Sequence, residues 1–150
     1  MPDKHARVLA RAAVILFALS LVNGFLIHAV SEPRQALSAH LIGLIGTAIL
    51  LGLATLWRHL HQSAAMSKAG VGLAIYGFGG GWLVNLMAAL LGHFGVFPIS
   101  AATPGGHSPG DYAISIALLS VALALFALAA VVFLGLGAGA ASRAESEAAR

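Results

Sequence analysis

Four long apolar stretches separated by short polar interruptions run along the chain, at residues 8–30, 37–57, 69–91 and 112–136. Each matches or exceeds the roughly 20 residues that an α-helix needs to cross the hydrocarbon core of a bilayer. A spanning segment must satisfy its backbone internally, so the pattern predicts an all-α bundle of four transmembrane helices. Beyond Arg11 near its start, Ser20, Asn23, Gly24 and His28 interrupt the first stretch. It is longer than the roughly 7–15 apolar residues of a signal-peptide core and has no convincing small-residue cleavage site after it, so it reads as a retained span. Ser31-Glu32-Pro33-Arg34 reads as a turn, with Pro33 opening the second helix. That helix ends in Trp57-Arg58-His59-Leu60-His61, an aromatic and basic group suited to a membrane interface.

A polar connector, Gln62 to Lys68, precedes a third span rich in glycine, at Gly70, Gly72, Gly77, Gly79, Gly80 and Gly81. In a membrane such small residues let helices approach closely. Residues 92–110 carry His93, Pro98, Pro104, His107 and Pro109 among several glycines, which predicts a folded loop or lid. Asp111 is placed to be the N-cap of the last helix. The tail from residue 138 to 150 is expected to fray or to continue as a surface helix.

Composition agrees with this pattern and narrows it. Of 150 residues, 59% are hydrophobic and 9% charged, against about 45–50% and about 25% in soluble domains. One integral membrane domain over residues 1–150 accounts for the chain. There is no cysteine, which excludes disulfides, iron–sulfur clusters and thiolate ligation of haem or zinc. Seven of the eight Lys and Arg residues fall on the side of the termini and the middle connector, and Arg34 alone falls opposite. The positive-inside rule then places both termini in the cytoplasm and the protein in the inner (plasma) membrane. The net charge of +3 reflects topology, and nucleic-acid binding is a poor reading of it.

The same topology gathers His28, Arg34, His40, His93, His107 and Asp111 at the outer end of the bundle. His40 stands out because it lies about one turn inside a span, where an imidazole is costly without a partner or ligand. Neutral imidazole serves as a metal or haem ligand, a proton carrier or a hydrogen-bond partner. His40, Gly43, Thr47 and Ala54 recur near helical spacing. The stripe suits either close helix packing or a flat macrocycle lying against the backbone. Periodicity alone favours packing.

Asn23 and Asn85 are the other strongly polar residues well inside spans, where amides commonly bond between helices; Asn85 has the alternative of orienting a substrate. Arg34 has Glu32, a lipid phosphate or a haem propionate as candidate partners. The histidines lack the paired spacing of a protein-only zinc site. Gly77-Phe78-Gly79-Gly80-Gly81 follows no strand and is no nucleotide loop.

Pro33-Arg34, Leu37-Ser38-Ala39-His40-Leu41, Tyr76-Gly77 with Trp82-Leu83, and Ser108-Pro109-Gly110-Asp111 occur in the order and span positions found in a family of small four-span membrane isomerases. The chain resembles this family, hydroxylaminobenzene mutase and styrene oxide isomerase, over most of its length. The resemblance implies a homotrimer holding haem b at its subunit interfaces, with His40 as axial ligand and ferric iron acting as a Lewis acid on a substrate oxygen. It implies a small apolar aromatic substrate: an arylhydroxylamine rearranged to an aminophenol, or an aryl epoxide opened to an aldehyde. Within it, Arg34 and Gly43 are further candidates for holding the cofactor, and Asn85 for orienting the substrate. The chain departs from the family pattern at Gly46 and Gly81, where relatives commonly carry Asn, and at Asn85, near the place of a tyrosine. Those departures open a further alternative, a haem-binding membrane protein without isomerase activity.

Overall fold

The computed structural model describes residues 2–93 and 107–148, with side chains over 4–93 and 107–138. They form α1 (Pro2–Leu26), α2 (Pro33–Leu56) with a 3₁₀ turn at Trp57–His59, α3 (Ala64–Ile75), a π-helical turn at Tyr76–Gly80, α4 (Gly81–Leu91) and α5 (Pro109–Ala148). Because α3, the π turn and α4 are continuous, four helices among the described residues are long and apolar enough to cross a membrane: Lys4–Leu26, Pro33–His59, Ala64–Leu91 and Pro109–Ala138. The shortest has 23 residues. At about 1.5 Å per residue it reaches about 35 Å, enough for a hydrocarbon core of about 30 Å.

Local chemistry sets the helix ends, and several differ from those the apolar pattern predicts. The first helix stops at Leu26 rather than near residue 30, because the Ala29 amide turns back to the Leu26 carbonyl at 2.9 Å. Glu32 is non-helical, with φ −125° and ψ 86°, because the α conformation is disfavoured for a residue before proline. The third span begins at Ala64, ahead of the expected residue 69, because the Ser63 hydroxyl accepts the Met66 amide at 3.2 Å. Asp111 is not the N-cap of the last helix. Ser108 is: its Oγ accepts the Asp111 amide at 3.2 Å while the Asp111 carboxylate accepts the Ser108 amide at 2.7 Å. This is a capping box with Pro109 at the first helical position. The last helix continues through the expected tail to Ala148. Residues 94–106 of the expected loop lie outside the described residues.

The apolar core occupies the half of the bundle nearer the start of α1 and the α2–α3 connector. Leu9, Leu16, Leu50, Trp57, Val71, Phe78 and Leu128 are all buried there. Glycine brings the helices together: a methyl group at Gly70 would lie 2.8 Å from Cη2 of Trp57, and one at Gly77 would collide with Leu125 of α5. The π turn sits at that second contact. It sends Phe78 toward Gly46 of α2, while the Tyr76 hydroxyl bonds the Ser120 hydroxyl of α5 at 2.6 Å. The opposite half of the bundle is where polar groups are buried.

Candidate functional site

In that opposite half, α1 breaks its apolar run at Ser20, Asn23 and Gly24, and these residues face α2. Asn23 is buried at 1% exposure and donates its amide to the Ala36 carbonyl at 3.1 Å. Its Oδ1 finds no hydrogen-bond donor among the described residues. One helical turn deeper, Nδ1 of the half-buried His40 lies 2.8 Å from the Ser20 carbonyl. A carbonyl only accepts, so Nδ1 carries the proton. In the neutral ring this fixes the tautomer and leaves the lone pair on Nε2. Gly24 makes room for the ring, since a methyl group there would stand 2.9 Å from Cε1 of His40.

Gly43 is packed inside the chain. A methyl group on it would collide with the Ser20 hydroxyl and stand 2.9 Å from Cδ1 of Trp82. The surface expected to receive a macrocycle at Gly43 is therefore covered by α1 and α4. Thr47 continues this contact, with its hydroxyl 2.8 Å from the Gly43 carbonyl and 3.3 Å from the Ala13 carbonyl. Gly46 and Gly81 are packed as well, the former under Phe78 and Leu16 and the latter against Val121 and Ile42.

A different face of α2 stays open beside His40. Arg34, Leu37, Leu41 and Ile45 form an exposed strip at helical spacing, with the cation at its outer end. Arg34 makes no ion pair among the described residues. On α4, Asn85 is buried at 5% exposure and donates to the Gly81 carbonyl at 2.8 Å. The Trp82 contact with Gly43 and a bond from the Glu32 amide to the Ala89 carbonyl at 3.1 Å bracket Asn85. It therefore lies at about the depth of His40.

The remaining histidines do not join His40. His28 is exposed in the α1–α2 turn. His93 follows the left-handed Gly92 that closes α4, and its Nδ1 is 3.5 Å from Oδ1 of Asp111. His107 is exposed and meets Tyr112 edge-on at 6.1 Å. Among the described residues, no three His, Cys, Asp or Glu side chains cluster as a metal site. Sequence reasoning missed the Ser20 carbonyl and Trp82. The polar break in α1 pointed toward the former, whereas nothing in residue type marks a backbone acceptor.

An apolar cavity of 280 Å³ opens between α1 and the third span, lined by Ile15, Leu16 and Leu19 of α1 and Leu50 of α2 together with Ile75, Gly79, Trp82 and Leu83. The fold and site thus define a multi-pass helical membrane protein with a buried polar half that holds the His40 imidazole against the Ser20 carbonyl, and with an apolar cavity between its first and third spans. The chain is 34% identical over 139 residues to hydroxylaminobenzene mutase HabB of Ectopseudomonas oleovorans, covering 92% of this chain and 85% of that protein. It is 35% identical over 81 residues to hydroxylaminobenzene mutase HabA of the same organism, covering 54% of this chain and 60% of that protein. No protein-family model and no solved structure matches it. The chain belongs to the hydroxylaminobenzene mutase family.

Proposed function

We propose that this protein is a membrane isomerase that converts an arylhydroxylamine to an aminophenol, with haem b held by His40. The observation that carries the proposal is the bond from His40 Nδ1 to the Ser20 carbonyl at 2.8 Å, because in the neutral ring it makes Nε2 the ligand atom. One imidazole with no other ligating side chains clustered around it among the described residues suits a macrocycle that brings its own four nitrogens. The exposed strip from Arg34 to Ile45 gives an apolar face with a cation at one end, which would suit the apolar ring and the carboxylates of haem. Gly43 contributes indirectly, by letting α1 approach until its carbonyl reaches the imidazole. When bound, ferric haem would supply a Lewis acid for the substrate oxygen.

In the net reaction an N–O bond breaks, an aryl C–O bond forms, and a ring proton is replaced by one at nitrogen, with no external oxidant or reductant. Asn85 suits orientation of the substrate, since it is a buried amide at about the depth of His40, held in place by the bond from its Nδ2 to the Gly81 carbonyl. The 280 Å³ cavity suits a small aromatic compound arriving from the lipid, and exclusion of water would suppress competing hydrolysis. A homotrimer in the inner membrane with cytoplasmic termini completes the proposal. The first test is an absorption spectrum of detergent-purified protein from haem-replete cells. A Soret band that His40→Ala abolishes is expected; a folded, colourless wild-type protein would refute haem binding.

The packing of Gly46 and Gly81 under apolar side chains favours one second reading, a haem-binding protein without turnover. Styrene oxide and phenylhydroxylamine separate the readings. The mutase converts phenylhydroxylamine, an epoxide isomerase converts styrene oxide to the aldehyde, and the second reading predicts a haem spectrum with neither product.

A further inference from the structure

The end of the bundle remote from His40 contains a cavity of 450 Å³ between the start of α1, the 3₁₀ turn and the start of α3. Lys4, His5, Arg58 and Lys68 line it, and no Asp or Glu is among the described residues that do. Two further side chains on its wall have buried polar atoms without partners. Trp57 is 1% exposed, and its indole Nε1 finds no acceptor among the described residues. The Gln62 side-chain amide is likewise unpaired at both Nε2 and Oε1. A buried indole N–H ordinarily finds a partner, so this donor points to a ligand that accepts hydrogen bonds.

The start of α3 adds to the same field. Ala64 lines the cavity, and the Ser63 hydroxyl is already taken by the Met66 amide. The earlier amides of the first turn have no intrahelical partner, and the positive end of the helix dipole lies there. Three permanent cations, unpaired donors and a helix start, without a carboxylate among the described lining residues, have the character of an anion site. Its position at the end of the spans, beside an aromatic and basic turn, is where phospholipid phosphates lie.

We propose that this cavity binds a phosphate group, presented either by the headgroup of an acidic phospholipid or by a soluble phosphate. Lys4, Arg58 and Lys68 supply charge, and the Trp57 indole supplies a directed hydrogen bond. The site is independent of the haem proposal, since it shares no residue with it.

The test uses the full chain in detergent, titrated separately with dioctanoyl-phosphatidylglycerol, dioctanoyl-phosphatidylcholine and inorganic phosphate. With only two tryptophans in the chain, ¹⁵N labelling gives two indole N–H signals, assigned with Trp82→Phe. The Trp57 signal is expected to shift on addition of phosphatidylglycerol, and phosphatidylcholine is expected to bind at least tenfold more weakly. Lys4→Gln combined with Lys68→Gln should weaken binding at least tenfold, and Lys4→Arg with Lys68→Arg should retain it. Both lysines are exposed, and unchanged thermal unfolding of these variants will show that the fold is intact. Saturation by phosphatidylglycerol alone identifies a lipid site, and saturation by inorganic phosphate identifies a soluble one; either supports the proposal. Equal binding of the two lipids without a response to phosphate, or affinity indifferent to removal of both lysines, would overturn it.

Discussion

At His40 the chemistry depends on two neighbours that contribute no side-chain ligand. The Ser20 carbonyl sets which nitrogen is free, and Gly24 leaves the ring space to reach that carbonyl. Gly24→Ala would place a methyl group 2.9 Å from Cε1 and 3.0 Å from Nδ1 of His40, so the imidazole must rotate off its acceptor. Loss of such an outer partner typically weakens metal binding about 10–100-fold. A haem titration of Gly24→Ala should show that loss with the helical content unchanged; wild-type affinity would mean that the carbonyl does not orient the ligand. Gly43→Ala has a different effect. Overpacking against Ser20 and Trp82 should cost about 1–3 kcal/mol, seen as a lower thermal midpoint. His40 was legible in the sequence because an imidazole inside a span is conspicuous, and the polar break at Ser20, Asn23 and Gly24 hinted at what it faces. The competing uses of the small-residue stripe were not separable, because Gly43 suits a macrocycle and a neighbouring helix equally until the position of α1 is known.

Among the helices, apolar runs located the spans but capping chemistry located their ends. Ser63 and Ser108 both start helices earlier than hydropathy suggests, because a hydroxyl that accepts a backbone amide begins a helix whether or not the next residues are apolar. Ser108→Ala should destabilise the start of α5 by about 1 kcal/mol. Hydrogen exchange at the first amides of α5 should rise measurably, whereas unchanged protection would show that the box with Asp111 is not what holds this end. The π turn at Tyr76–Gly80 was also hidden. Five residues rich in glycine tolerate several backbone paths, and only the joint demands of Leu125 over Gly77 and Phe78 against Gly46 select this one.

For the molecule as a whole, the two halves of the bundle divide the work. One half is an apolar core anchored by Trp57, and the other buries Asn23 and Asn85 among small residues and holds the half-buried His40. The distribution of cations predicts the orientation of this division in the membrane. With no native cysteine, single replacements Ser63→Cys and Ser31→Cys report it directly: an impermeant thiol reagent applied outside should label Ser31→Cys alone. Labelling of Ser63→Cys instead would invert the topology. The most direct measurement of the enzymatic proposal is product analysis of phenylhydroxylamine incubated with purified wild-type and His40→Ala protein, without added oxidant or reductant. Catalytic formation of an aminophenol of unchanged mass by the wild type, lost in His40→Ala, is the expected result. Recovery of unaltered phenylhydroxylamine from a haem-loaded wild-type protein, or equal conversion by both proteins, would contradict it.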